Sequence, residues 1–128
     1  MRLMQVILHG VNLEADLLNP KVSDRYEKGF NTAVAEINAA KECTTGAEGI
    51  RRQCNAVIDY VDDVFGHGTA KKVFGEETDL ITCLDVLEEM MDLYDKQVAP
   101  VVQERSRVIG EKIKGHLMSN AEMMHSDM

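Results

Sequence analysis

The sequence predicts a mainly α fold of the α+β kind: a β-hairpin over residues 1–18, then three main helices in a compact bundle, the last one long. Three observations predict it. Residues 3–8 are apolar and partly β-branched, and residues 11–17 alternate apolar and polar with a period of two. From Val22 to Val108 apolar residues recur three or four apart. Between these stretches stand the punctuating groups Asn19-Pro20, Thr44-Thr45-Gly46 and Gly66-His67-Gly68. A chain of 128 residues and 14.3 kDa fits one domain, expected over residues 1–117.

The hairpin comes first. Leu3 to Leu8 is apolar and partly β-branched, His9-Gly10 can turn, and Val11, Leu13, Ala15 and Leu17 alternate with polar residues, so the odd positions should face the protein. A lone two-stranded ribbon is marginal in water. It must lie on the helices or pair with another subunit through a free edge.

Asn19 is the expected N-cap of the first helix, with Pro20 at its first position. Val22, Tyr26, Phe30, Ala33, Val34 and Ile37 form its apolar face, and it should end near Glu42. The second helix is expected from Ala47 to Phe65, with Ile50, Cys54, Val57, Ile58, Val61 and Phe65 on one side. A short turn from Ala70 to Phe74 follows, with Thr69 as its cap and Gly75 as its end. Thr78 or Asp79 should cap the last helix, which runs to about Leu117 and kinks or splits near Pro100. Residues 118–128 show no period and are expected as a flexible C-terminal tail.

Composition narrows function. The chain has 14 Lys and Arg against 22 Asp and Glu, a net charge of −8. An acidic protein is repelled by nucleic-acid backbones and anionic membranes, so neither is an expected partner. No apolar run reaches about 18 residues, and Met1 to Leu8 is too short for a secretory signal. Three cysteines without a CxxC point to reduced thiols rather than a disulfide frame. The acidity is concentrated: residues 78–99 carry −5, and Asp85, Glu88, Asp92 and Asp95 recur as one acidic stripe. This stripe is a solvated face or a docking surface for a basic partner.

Chemistry has little to stand on. No catalytic grouping, cofactor fingerprint or zinc spacing is present, so the chain is expected to be no enzyme and to hold no cofactor or metal. Asp59, Asp62, Asp63 and His67 are the densest possible cation ligands, but they read more simply as the last turn of a helix. Acids there oppose the helix dipole, so Asp62 or Asp63 should pair with Arg51, Arg52, Lys71 or Lys72. Gly66-His67-Gly68-Thr69-Ala70-Lys71-Lys72 lacks phosphate-loop spacing and reads as a rigid reversal. Phe65, Gly66, Gly68, Thr69, Phe74 and Gly75 form this structural corner, pinned by the two phenylalanines. Leu84, Leu87, Met91, Tyr94, Val98 and Val101 fit a 3-4 seam and form the candidate interaction face, with Val86, Met90 and Leu93 widening the arc.

Between Ile50 and Gly75 the pattern becomes distinctive: Ile50-Arg51, Cys54, Ala56-Val57, Asp59-Tyr60, Asp62-Asp63, Phe65-Gly66, Gly68-Thr69 and Phe74-Gly75. With the strand pair ahead of the helices, residues 3–98 resemble a small family encoded among the tail genes of siphophages and of prophages in Firmicutes. The place of those genes resembles that of tail-assembly chaperones, between the tail-tube and tape-measure genes. The resemblance implies a non-enzymatic protein of the bacterial host cytoplasm that binds tape-measure and tail-tube proteins and self-associates. An alternative is a phage-encoded binder or inhibitor of a host protein or signalling nucleotide.

Overall fold

The structure is a computed structural model that describes residues 1–43 and 45–126, with side chains followed to Asn120. It is mainly α with an N-terminal antiparallel hairpin, as expected. By contacts the chain divides into two units, the first ending at Leu93 and the second starting at Tyr94, a boundary inside the residues expected to form one domain.

In the first unit, strands β1 (Met4–Leu8) and β2 (Val11–Ala15) pair antiparallel, with Leu8 opposite Val11 and Met4 opposite Ala15. The two-residue turn puts His9 at φ 50° and Gly10 at φ 76°. Positive φ at both central residues matches the right-handed twist of the strands, and His9 takes it without being glycine. Val6, Leu8, Leu13, Ala15 and Leu17 are buried, so the odd side of β2 faces inward. The ribbon lies on the helices: β2 contacts the second helix and β1 the fourth. At its tip the His9 N–H donates to Glu89 Oε1 at 3.1 Å.

Helix α1 spans Pro20–Ala39, and Asn19 Oδ1 accepts the Lys21 N–H at 2.9 Å. A 3₁₀ turn at Ala40–Glu42 ends it where expected. Helix α2 (Gly46–Phe65) begins one residue earlier than expected, because Thr45 caps it by accepting the Glu48 N–H at 3.1 Å. α2 is the hub of the unit, touching α1, the short helix that follows it, the fourth helix and β2. Its buried face is Cys54, Val57, Tyr60, Val61 and Val64, so the expected face is rotated: Ile50 is 47% exposed and Phe65 half-buried. The cause lies on α1. At Gly29 the Tyr60 ring comes so near that a Cβ there would sit 2.7 Å from Cδ1. The phenol of Tyr60 donates to the Tyr26 carbonyl at 2.8 Å, and the Tyr26 phenol donates to the carbonyls of Met90 and Met91 on the fourth helix.

Helix α3 covers Thr69–Phe74 and helix α4 covers Leu80–Leu93. Asp79 is the cap of α4, accepting the Thr82 N–H at 2.8 Å and the Thr82 hydroxyl at 2.9 Å. α4 buries Cys83, Val86, Met90 and Leu93, which joins them to the core with Leu8, Leu17, Val57 and Val61. Each large side chain removed from water stabilises by about 1.5–3 kcal/mol.

In the second unit, a π-helical turn at Tyr94–Val98 leads into helix α5, Ala99–Ser126. The expected break at Pro100 is thus a change of pitch just before it. Pro100 has no N–H for the Lys96 carbonyl, and its ring crowds that carbonyl, so the wider turn relieves both faults. α5 also runs through most of the segment expected as a tail; positions 127 and 128 of that segment lie outside the described residues.

Two outcomes follow from these contacts. Gly29→Ala forces Cβ into the Tyr60 ring and should lower stability by about 1–3 kcal/mol in urea titrations, despite alanine's better helix propensity. The Thr82 N–H and hydroxyl hold the Asp79 carboxyl below the usual carboxylate range. The stability it contributes is present above that range and is lost as pH falls through the lowered value. Asp79→Ala should therefore be less stable than the parent at neutral pH and equal to it once the carboxyl is protonated.

Candidate functional site

The corner after α2 is built from backbone geometry and one acid. Gly66 ends α2 at φ 114° and Gly68 stands at φ 90°, conformations that suit glycine. Phe65 and Phe74 are half-buried on either side, and Gly75, at φ 80°, ends α3. Two expectations are corrected here. Thr69 does not cap α3; it is the helix's first residue, behind Gly68. The capping atom comes from the preceding helix: Asp62 Oδ1 accepts the Ala70 N–H at 2.7 Å. Asp62 therefore finds a backbone donor rather than a basic side chain, while Arg52 pairs with Glu36 at 2.9 Å and Lys71 with Glu76 at 3.0 Å. Carboxylates accepting N–H bonds at a helix start satisfy orphan donors and oppose the dipole's positive end.

The candidate cation ligands do not converge. Asp59 and Asp63 line an open groove of about 330 Å³ between α1 and α2, together with Arg25 and Lys28, which the sequence reading did not place there. His67 is fully exposed at the corner, 4.0 Å from Asp62. Among the described residues no group of three His, Cys, Asp or Glu side chains could hold a metal ion. Cys54 and Cys83 are buried, and burial, helped by the Cys54 thiol beside it, pushes the Cys83 thiol up to about 12. At neutral pH Cys83 stays a protonated core residue, not a nucleophile.

The candidate interaction face is split by the structure. Its first half lies on α4 in the first unit, and its second half on the π turn and α5 in the second. On α4 the broad apolar arc is shared: Cys83, Val86, Met90 and Leu93 are buried, while Leu80, Leu84 and Leu87 are only half-buried and Met91 is 52% exposed. Those four follow a 4-3-4 spacing and make one strip. In the second unit Tyr94 is half-buried, Val98 buried and Val101 51% exposed. The π turn at Tyr94–Val98 stands between the two halves of the expected seam.

Asp85, Glu88 and Asp92 of the acidic stripe lie on α4 and border its strip on one side. Asp85, Glu88 and Asp95 are exposed and Asp92 is half-exposed. Glu89, one position beyond the stripe, turns to the hairpin tip instead. Among the described residues no helix is long and apolar enough to cross a membrane.

The chain belongs to a family of unknown function, DUF6673, whose model matches residues 9–115, from the hairpin turn well into α5. No curated protein and no solved structure matches it.

The Asp62 cap gives a direct test of the corner. Asp62→Ala leaves the start of α3 without its acceptor and should cost about 1–2 kcal/mol, read by chemical denaturation. Asp62→Asn keeps an oxygen there and should recover most of that loss.

Proposed function

We propose that this protein is a non-enzymatic, chaperone-like factor of phage tail assembly that binds helical segments of the tape-measure and tail-tube proteins in the bacterial host cytoplasm. The observation that carries this reading is the strip Leu80, Leu84, Leu87 and Met91, an apolar line left incompletely covered along α4. A strip with 4-3-4 spacing is the shape that a second amphipathic helix fits, through anchors at i, i+3, i+4 and i+7. The resemblance of residues 3–98 to proteins encoded among phage tail genes supplies the kind of partner. A tape measure is long and helical, and its apolar stripes need cover until tube subunits close around it.

The shallow strip suits such a role. It is a line along one helix, so single contacts stay weak and displaceable, and repeated copies along a long partner add up. Met91 at its exposed end brings an unbranched thioether that adapts to varied helical surfaces. The acid border disfavours nucleic acid by repulsion and favours partner helices with basic flanks. That border also supports a second reading, in which Asp85 and Glu88 bind a basic host protein as an inhibitor.

Co-expression with fragments of the tape measure and with the tube protein, followed by affinity capture, tests the first reading. A tape-measure fragment should co-purify, and Leu84→Glu with Met91→Glu should weaken its binding by about tenfold or more. Capture of no tail component would overturn it. Binding of a host protein that depends on Asp85 and Glu88 would favour the second.

A further inference from the structure

The groove between α1 and α2 holds charges that the fold does not use. Its volume of about 330 Å³ is that of a small-molecule site at the lower end of the usual range. Ala33, Ala56 and Tyr60 give it apolar lining. Exposed Arg25, Lys28, Asp59 and Asp63 line it as well, with half-buried Glu36. Two of these charges are already engaged: Lys28 pairs with Asp24 at 3.0 Å and Glu36 with Arg52 at 2.9 Å. Among the described residues, Arg25, Asp59 and Asp63 have no ion pair or side-chain hydrogen bond. The groove therefore offers two free carboxylates and one free guanidinium beside apolar surface.

Contacts along the two helices place these three charges. Gly29 meets Tyr60, and further along α1 Glu36 meets Arg52, which lies further back along α2, so the helices run antiparallel. Arg25, one turn before Gly29, is level with the turn after Tyr60, which carries Asp63. Asp59 stands one turn back from Asp63, about 6 Å along the helix. One end of the groove thus sets an acid opposite a base, and a second acid follows one turn away.

We infer that this groove binds a free basic α-amino acid, of the lysine or arginine class. The head of such a molecule carries an ammonium and a carboxylate on one carbon, which suits Asp63 and Arg25 at the same end. Its extended side chain brings a second cation to Asp59. The aliphatic stem between them covers Ala56 and Tyr60, as the stems of long charged side chains cover apolar surface. The charge count selects this class. A dication with one carboxylate mirrors two free acids and one free base. An acidic amino acid brings two anions to two carboxylates, a diamine leaves Arg25 unanswered, and a neutral amino acid leaves Asp59 without a cation. The inference goes beyond the tail-assembly reading and does not rest on it, since the groove shares no residue with the α4 strip.

Titration of the full chain with L-lysine and, separately, L-arginine at low ionic strength tests it, followed through backbone amide shifts by NMR. Shifts should saturate at amides lining the groove, among them Gly29 and Ala56. Exposed ion pairs are individually weak, so a dissociation constant of about 1 mM is expected. Cadaverine, which is lysine without its carboxylate, should bind about fivefold more weakly or worse, as should L-glutamate and L-alanine. Arg25→Ala should bring lysine down to the level of cadaverine. Asp59→Asn with Asp63→Asn should remove saturation, and circular dichroism should show unchanged helix content, since all three positions are exposed. No saturation by either basic amino acid at about fifty times the expected constant overturns the inference. So does equal binding of cadaverine, glutamate or alanine, or a lysine affinity that neither variant lowers.

Discussion

The close approach of the Tyr60 ring to the backbone of α1 at Gly29 is the contact on which the first unit depends. A helix that carries any side chain at that position keeps its neighbour a full side-chain layer away. With glycine there, α1 and α2 close until the ring lies on bare backbone. That distance lets the Tyr60 phenol reach the Tyr26 carbonyl, and it sets Tyr26 where its own phenol reaches two carbonyls of α4. Each carbonyl oxygen has a second lone pair, so these bonds are added without breaking helical ones. The ring of Phe30 packs edge-on against Tyr60 with centroids 6.3 Å apart, which closes the same cluster from α1. Three helices are thus locked by two phenols and one missing Cβ, although aromatic residues are few in this chain.

That lock decides what α4 can bury. Tyr26 holds the helix near Met90 and Met91, so Val86, Met90 and Leu93 turn towards the hairpin and α2, and the remaining apolar residues are left over. The α4 arc is wider than one neighbour can cover. In a monomeric domain such an excess is normally trimmed to polar residues. Here it is kept, and it is edged with acids on one side only. A solvated face has no need of that asymmetry, whereas a helix-binding face gains orientation from it.

Local signals made much of the fold legible in the sequence. Asn19-Pro20 and Asp79 mark helix starts through bonds spanning two or three residues, and the period of two fixed which side of β2 turned inward. What escaped was set by distant partners. Periodicity put Ile50 and Phe65 on the buried face of α2 and overlooked Tyr60, because the deciding glycine lies 31 positions away on α1. A glycine in the middle of an apolar-faced helix was the available signal, since it costs helix stability and so asks for a packing reason. The Asp62 cap escaped for a related reason. The acceptor stands eight residues before its donor, outside the spacing of any capping box. Within the candidate face, sequence spacing located the residues but not the division at the π turn, which a regular 3.6-residue period hides.

α5 raises the energetic question that the rest of the chain answers for itself. A long helix with nearly every described side chain in water must be held by propensity and by pairs along its own surface. Its sequence includes Gly110 and Gly115, each a weak point in a helix interior. The Glu104–Arg107–Glu111 set is exposed, and pairs of that kind contribute little. Helical stability in proteins comes mostly from packing an apolar face, so a helix of this composition gains most from a surface that accepts one. Val102, Ile109 and Ile113 fall on one narrow apolar line of it, the part of α5 with most to gain from such cover.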